Sequence, residues 1–301
     1  MDYKAFGLHF ETPFIAPELV PITADEAKAL SSVHIRYGDV PKKLENTLNH
    51  GPTFEANEAE LIMRLPTIGA FLVRNGNEII IEKEHDCTED EIRLFLFGSA
   101  IGALLQQRGY LTLHASAIAT PKGAVLFAGV SGAGKSTLSQ EFIRRGYKKL
   151  SDDTIALYWD GENQKITALP SYPQTKLWHQ SAVMLDQNTE GLRQIRPELD
   201  KFAVPTFEHF HDTPLALHSM YILSTHTKEE IVLEEINGIE KFSVLKNNTY
   251  RKKFLEHLPI RKEHFILSSK LAQDHIVKRV IRPKEKNSLR ELADIIEKDM
   301  R

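Results

Sequence analysis

A glycine-rich segment near the middle of the chain constrains the fold more than any other feature. It reads Gly129-Val130-Ser131-Gly132-Ala133-Gly134-Lys135-Ser136-Thr137 and matches G-x-x-x-x-G-K-[ST] at every fixed position. A short apolar run, 124–128, precedes the segment, and a helical pattern from Lys135 to Arg145 follows it before Gly146. The sequence therefore predicts a buried strand, a phosphate-binding loop and a helix in direct succession.

Each residue type in this loop has a separate chemical task. Glycines let successive backbone amides turn towards phosphate groups, and the start of the next helix adds a field that favours anions. The Lys135 ammonium can contact the β- and γ-phosphates, and the Ser136 hydroxyl can bind Mg²⁺. All of Gly129 to Thr137 is therefore predicted to bind a nucleoside triphosphate, with Ser136 as a metal ligand.

Two further groups are expected beside the loop. Asp152 and Asp153 follow Ser136 by 16 and 17 residues, after one predicted helix and one short strand. In a right-handed crossover the ends of both strands lie at the same sheet edge, so one carboxylate could accept a hydroxyl proton and the other could hold the metal ion. His114 lies on the preceding strand, either as a hydrogen-bonded core residue or as a group near the γ-phosphate.

The pattern along the chain changes near residue 87. Residues 1–86 are rich in predicted strands and contain Asn75-Gly76 between two β-prone runs, which is a strong hairpin signal. Thr88 and Glu91 have the spacing of a capping box and begin a largely apolar helix. We therefore expect an α/β fold with two domains. Residues 1–86 form a small β-rich domain that packs on the catalytic domain or recognises substrate, and residues 87–301 form a P-loop domain with a mixed sheet.

Composition excludes several classes of protein. The chain has 38 Lys and Arg against 41 Asp and Glu, a net charge of −3, which does not favour nucleic acid or an anionic membrane as a partner. Its longest uncharged apolar run, Leu94 to Leu105, is shorter than the roughly 20 residues that a membrane-spanning helix needs. With one cysteine, no internal disulfide can form, and no signal peptide is recognised. We expect a soluble cytoplasmic protein.

Taken together, these motifs resemble the catalytic domain of HPr kinase/phosphorylase. The resemblance is close over residues 111–157 and rests on His114 with its strand, the loop, Arg144-Arg145-Gly146-Tyr147 and Leu150-Ser151-Asp152-Asp153. It implies a P-loop domain of the HPr kinase C-terminal type that uses ATP and Mg²⁺. By this resemblance Asp152 acts as the base on a serine hydroxyl, Asp153 supports it and holds the metal, and His114 lies near the transferred phosphate.

One stretch differs from the HPr enzymes, which carry a glycine-rich acidic signature after the aspartate pair. The corresponding residues in this chain, 169–178, contain no acid. The chain instead resembles a divergent branch associated with lasso-peptide biosynthesis of the paeninodin type, through the segments Leu113-His114-Ala115-Ser116-Ala117, Tyr172-Pro173, Lys176-Leu177-Trp178 and Ile281-Arg282-Pro283. That resemblance implies a peptide partner, a lasso-peptide precursor phosphorylated on its C-terminal serine. HPr enzymes are hexamers, and whether this chain forms a homo-oligomer stays open.

Two other functions remain open from the residues alone. The chain could phosphorylate free serine or a similar small hydroxyl compound, or it could be a nucleotide-binding regulator or ATPase. Turnover that depends on an acceptor separates a kinase from an ATPase. Four cations are further candidates for contacting transferred phosphate, although they stand outside the predicted site: Lys176, Arg251, Lys252 and Arg282.

Overall fold

A computed structural model describes residues 1–185, 187–196, 199–284 and 288–301. The chain forms two compact units, Met1–Thr112 with Thr249–Leu267, and Leu113–Asn248 with Ser268–Arg301. The first unit extends beyond the predicted boundary at residue 86 because the helical segment after Thr88 belongs to it. The Gln107 side chain, at the end of that segment, accepts from the Gly76 amide at 2.9 Å and donates to the Val73 carbonyl at 3.1 Å.

The secondary-structure elements are numbered along the chain. Within the described residues the strands β1 to β21 are Asp2–Ala5, Leu8–Glu11, Val20–Pro21, Ser31–Tyr37, Asn49–Gly51, Phe54–Ala56, Glu60–Leu65, Gly69–Arg74, Glu78–Lys83, Leu111–Leu113, Ala115–Thr120, Gly123–Ala128, Lys148–Ser151, Ile155–Asp160, Lys165–Leu169, Gln174–Trp178, Gln194–Arg196, Leu199–Pro205, Leu215–His226, Val232–Glu235 and Ile276–Pro283. The helices α1 to α8 are Ala24–Lys28, Glu89–Phe95, Ile101–Gln107, Lys135–Arg144, His179–Met184, Ile239–Asn248, Arg261–Asp274 and Leu289–Met300. A π-helical turn, Leu96–Ala100, joins α2 to α3, and short 3₁₀ turns lie at Phe207–His209 and Lys252–Leu255. In the part of the chain so described, none of the helices has both the length and the hydrophobicity to cross a bilayer.

The first unit is built on one sheet with the strand order β3-β1-β2-β4-β9-β8-β7-β6-β5, which confirms the β-rich N-terminal region. The predicted hairpin is β8 and β9, and positive φ angles of 54° at Asn75 and 63° at Gly76 form its turn. The predicted capping box is also present. The Thr88 hydroxyl accepts from the Glu91 amide, and the Glu91 carboxylate accepts from the Thr88 amide.

The second unit contains a mixed sheet in which the ends of three strands lie at the same edge. The strand order is β14-β15-β19-β12-β11-β13, with β21 also pairing to β19 and β20 pairing to β21. Strand β11 is antiparallel to both of its neighbours, β12 and β13. The carboxyl ends of β12 and β13 therefore lie at the same edge as the amino end of β11, as the crossover argument predicts. The α/β class with a mixed sheet is confirmed.

Helix α4 packs against this sheet and ends where the sequence predicts. Gly146, with φ 92°, donates its amide to the Ile143 carbonyl at 2.9 Å, and the Tyr147 amide donates to the Phe142 carbonyl at 3.1 Å. This is a Schellman motif, and the Tyr147 ring edge meets Phe142 at 5.5 Å between centroids, which supplies its apolar contact. Phe142 also stacks on Phe127 of β12 at 5.3 Å. The packing holds the last turn of α4 against the end of β12.

Candidate active site

The loop between β12 and α4 needs glycine at its two ends. At Gly129 the φ angle is 145°, and a Cβ atom there would lie 2.6 Å from the carbonyl oxygen of Leu223 in β19. At Gly134 the φ angle is 99°, in the left-handed region, and the next residue begins α4. Glycine therefore lets the chain pass close to β19 as it leaves β12, and lets it take a left-handed conformation directly before α4.

Lys135 lies inside this loop. Its side chain is buried, and the ammonium donates to the carbonyls of Gly129 at 2.9 Å and Val130 at 3.2 Å. Burial lowers the pKa of Lys135, while the nearby carboxylates of Asp153 and Asp152 act to raise it. The loop therefore holds a desolvated cation whose present partners are carbonyl dipoles. Phosphate oxygens would be stronger partners.

A cavity borders the loop on the side of the helix start. The loop lines it through Ser131, Gly132, Gly134, Lys135, Ser136 and Thr137, and the rest of the second unit lines it through His114, Asp153, Lys176, Leu177, Trp178, Ser181 and Lys201. Three residues of the predicted loop do not line the cavity. Gly129 and Val130 supply the carbonyls that hold Lys135, and Ala133 packs into the hydrophobic core.

Topology explains why His114 and Asp153 meet the loop. His114 lies at the break between β10 and β11, at the amino end of β11. Asp153 follows the carboxyl end of β13, and the loop follows the carboxyl end of β12. All three positions belong to the same sheet edge, so groups that are far apart in sequence line one cavity.

Two side chains, the Lys176 ammonium and the His114 ring, hold the Asp153 carboxylate in place. Its Oδ2 lies 3.2 Å from the Lys176 ammonium, and its Oδ1 lies 3.3 Å from Nδ1 of His114. The same His114 nitrogen is 2.8 Å from the Asp153 main-chain carbonyl, so Nδ1 faces two acceptors and carries the proton. Burial acts to raise the pKa of Asp153, but the Lys176 charge and the His114 hydrogen bond outweigh it and hold the pKa well below its usual range.

Asp152 is placed differently from its predicted role as the base. Only 4% of it is exposed, and it does not line the cavity. Its Oδ1 accepts from the Ser116 hydroxyl at 2.7 Å, and its Oδ2 accepts from the Lys176 main-chain amide at 2.9 Å. The difference arises because Asp152 still faces the interior at the end of β13, whereas Asp153 turns out of the strand with φ 68°. Asp152 thus holds the backbone of Lys176, whose side chain pairs with Asp153.

A buried lysine accompanies Asp152. Lys149 of β13 is fully buried, and its ammonium lies 3.8 Å from Asp152 Oδ1 and donates to the Thr175 hydroxyl. Burial lowers the pKa of Lys149, and the Asp152 charge acts in the opposite direction. Because removing one partner of such a pair leaves an uncompensated buried charge, Asp152 contributes to stability as well as to the position of β16.

Removing the Asp152 carboxylate is therefore expected to destabilise the fold. Asp152→Ala should lower the free energy of unfolding by about 3–5 kcal/mol, because Lys149 loses its anion. The double variant Lys149→Met/Asp152→Ala should recover a large part of that loss, since neither charge then remains. Denaturant unfolding of the double variant and of both single variants checks this. A double variant that is as unstable as the sum of its single variants would contradict the pairing.

The three-stranded sheet β16-β18-β17 supplies cavity residues that do not belong to the site predicted from the sequence. The sequence predicts Lys176 only as a candidate cation outside the site. Trp178 and Lys201 of this sheet, and Ser181 of α5, have no predicted role. The Thr137 hydroxyl donates to the Ser181 hydroxyl at 2.8 Å, which ties the start of α5 to the first turn of α4. The signal in the sequence is the acid-free stretch 169–178, which contains both Lys176 and Trp178.

The other candidate cations of the sequence are more dispersed. The Arg282 guanidinium approaches the loop, with Nη2 3.8 Å from where a Cβ on Gly134 would lie, and its Nη1 donates to the Pro283 carbonyl. Arg251 and Lys252 belong to the first unit, and neither lines the cavity.

The residues around the cavity fit a magnesium ion bound together with phosphates. Mg²⁺ in such sites takes one or two protein oxygens and completes its octahedron with phosphate oxygens and waters. The Ser136 hydroxyl and the Asp153 carboxylate are oxygen donors that line the same cavity. They are the two ligands that the sequence predicts.

Comparison with known proteins does not identify the function of the chain. No protein-family model matches the chain, and no curated protein matches it. Among solved structures, the chain is similar to the HPr(Ser) kinase/phosphatase from Coxiella burnetii, with 15% sequence identity and a TM-score of 0.33 over 62% of this chain and 89% of that one. What the cavity does is therefore inferred from its own residues.

Proposed function

We propose that this protein is an ATP-dependent kinase that transfers the γ-phosphoryl group to a serine hydroxyl. One observation carries the proposal: the phosphate loop and the carboxylate of Asp153 line the same cavity. A phosphoryl donor bound on the loop and a hydroxyl bound at Asp153 would therefore be neighbours. Three lysines and one aspartate line the cavity, and this excess of basic side chains suits a polyphosphate.

The transfer assigns a task to each loop residue. The backbone amides from Ser131 to Thr137 and the Lys135 ammonium bind the phosphates. The serine Oγ forms a bond to the γ-phosphorus, the bond to the β,γ-bridging oxygen breaks, and its electron pair leaves with ADP. Lys135 stabilises the charge that collects on these oxygens.

Asp153 takes the acceptor proton in this proposal. It orients the serine hydroxyl and receives its proton, whereas Asp152, which the sequence predicts as the base, holds Lys176 in place. The lowered pKa keeps Asp153 ionised, and an ionised carboxylate can accept the proton as the serine oxygen bonds to phosphorus. His114 fixes the direction of the carboxylate through its Nδ1 proton.

Magnesium would be held by the Ser136 hydroxyl, with Asp153 as the adjacent acidic group. When bound, the ion neutralises phosphate charge and orients the triphosphate. Because Asp153 would border both the ion and the acceptor, we expect the chemistry to depend most on this residue.

The resemblance in the sequence guides the choice of acceptor. We propose a peptide with a C-terminal serine, such as a lasso-peptide precursor, as the partner, and the cytoplasm as the compartment where the reaction occurs. Free serine and HPr are the competing acceptors.

Intact-mass spectrometry of a mixed assay tests the proposal. The protein, ATP and Mg²⁺ would be incubated with a peptide ending in serine, free serine and HPr, beside an Asp153→Asn control. A phosphoryl mass gain on the peptide alone, lost in the control, is expected. A gain on free serine alone would reassign the enzyme to small molecules, and one on HPr would replace the peptide by a protein. ATP consumption with no acceptor modified would favour an ATPase or regulator.

A further inference from the structure

Lys201 lies in the cavity but belongs to no predicted motif. It is on β18, directly across from Trp178 on β16 in the antiparallel register. Its ammonium sits over the Trp178 ring, 5.5 Å from the ring centroid, and both residues line the cavity beside the loop. Trp178 is 42% exposed, so a large aromatic ring remains at the surface next to the phosphate loop.

The ring is the contact that orients this lysine. Within the described ranges, no carboxylate lies within ion-pair distance of Lys201, whereas Lys176 on the neighbouring strand pairs with Asp153. An ammonium over an indole face is attracted by the ring, and the ring carries no net charge that would neutralise it. Lys201 therefore offers the cavity a positive charge that no described acidic side chain neutralises.

The charge of Lys201 acts on Lys135 and Asp153, the residues at the donor and acceptor ends of the proposed transfer. It acts to lower the pKa of Lys135, for which burial is the larger cause, and it contributes to the lowered pKa of Asp153. Lys135 marks the position of the donor phosphates, and Asp153 marks the position of the acceptor hydroxyl. Lys201 lines the same cavity as Lys135 and Asp153, so its ammonium borders the space in which donor and acceptor would meet.

We propose that Lys201 is a catalytic cation that contacts the γ-phosphoryl group, and that Trp178 is its positioning residue. The proposal rests on the proposed kinase function. As the γ-phosphorus leaves the bridging oxygen of ADP and bonds to the serine oxygen, its three outer oxygens keep their negative charge. Lys201 stabilises that charge, while the electron pair leaves with ADP and the proton goes to Asp153.

Nucleotide binding without any acceptor provides the first test. The probes are ADP and the non-hydrolysable β,γ-imido analogue of ATP, each with Mg²⁺, measured by titration calorimetry. Lys201→Met should weaken the analogue by about tenfold or more while leaving ADP affinity unchanged, because a charged contact to the γ-phosphate is lost. The matched control is Lys270→Met. Lys270 lies over Trp159 at 3.8 Å, in the same unit but outside the cavity, and its loss should change neither affinity.

Equal weakening of the binding of both nucleotides by Lys201→Met, or no weakening of either, would overturn the proposal.

Turnover supplies the second test. Lys201→Met should lower kcat by about 10²-fold with a smaller change in the KM for the acceptor, and Lys201→Arg should restore part of it. Trp178→Phe, which keeps an aromatic face, should retain the preference for the analogue over ADP better than Trp178→Leu. Equal loss in both Trp178 variants would contradict the positioning role.

Failure of the kinase function gives a different result from failure of this inference. If no acceptor is phosphorylated but Lys201→Met still weakens the analogue selectively, the contact to the γ-phosphate stands and the kinase proposal falls. If acceptors are phosphorylated at unchanged rates by Lys201→Met, the kinase proposal stands and the role of Lys201 falls.

Discussion

Replacing Asp153 with asparagine is expected to lower acceptor phosphorylation by about 10²–10⁴-fold, the range associated with a positioned general base. Asparagine keeps the shape of the side chain but cannot accept the proton. It also tolerates the left-handed backbone at this position, where φ is 68°, so the fold should survive. Steady-state phosphorylation of a serine peptide, together with calorimetric nucleotide binding, measures the effect. Binding should remain while turnover is lost.

Asp152→Asn is the informative comparison, because it separates the two carboxylates. Both carboxylate oxygens of Asp152 accept hydrogen bonds from protein donors, so Asp152→Asn should lower the stability of the fold. Its turnover should fall only to the extent that Lys176 moves away from Asp153. Rates would be compared per folded molecule. If Asp153→Asn keeps the wild-type rate while folded Asp152→Asn is inactive, Asp152 is the base and Asp153 is not.

Lys135→Met should produce the second large effect. The ammonium would exchange its contacts with the Gly129 and Val130 carbonyls for phosphate oxygens when nucleotide binds. Its loss should weaken ATP binding by about 10–100-fold, since a hydrogen bond to a charged group contributes about 1.5–3 kcal/mol. Turnover should fall by at least a further 10²-fold, because charge on the bridging oxygen is then unsupported. Calorimetry and single-turnover kinetics check the two parts separately.

Stability acts as the control for Lys135→Met. Methionine has a similar length and removes a buried charge, so the unfolding free energy should stay the same or rise. A variant that unfolds more easily would mean that its loss of binding reflects a damaged loop. Unchanged nucleotide affinity in a folded variant would contradict the assignment of the loop.

The sequence predicts much of this arrangement because the relevant signals are local. The loop is defined by residue types at fixed spacing, and the end of α4 is defined by Gly146 in the left-handed region. The crossover rule then brings Asp153 to the loop edge, since β12 and β13 are both antiparallel to β11. His114 reaches the same edge because β11 begins there.

The remaining features depend on contacts between residues that are distant in sequence. Nothing local tells which of two adjacent aspartates turns inward. The choice depends on the buried Lys149 and on Ser116 of another strand. Lys176 and Lys201 reach the cavity from a separate small sheet, and no motif marks that sheet. The helical segment after Thr88 belongs to the first unit through its side-chain contacts there, since Arg93 pairs with Glu18 and Gln107 donates to the Val73 carbonyl.

The most direct test follows the fate of the γ-phosphoryl group. ATP labelled at the γ-phosphate would be incubated with the protein, Mg²⁺ and a peptide ending in serine, and the label in phosphoserine and in inorganic phosphate would be counted in the same sample. We predict that label enters the serine in step with ADP release, and that Asp153→Asn suppresses it. Label found in inorganic phosphate alone, at the same rate with or without an acceptor, would contradict phosphoryl transfer as the function of this site.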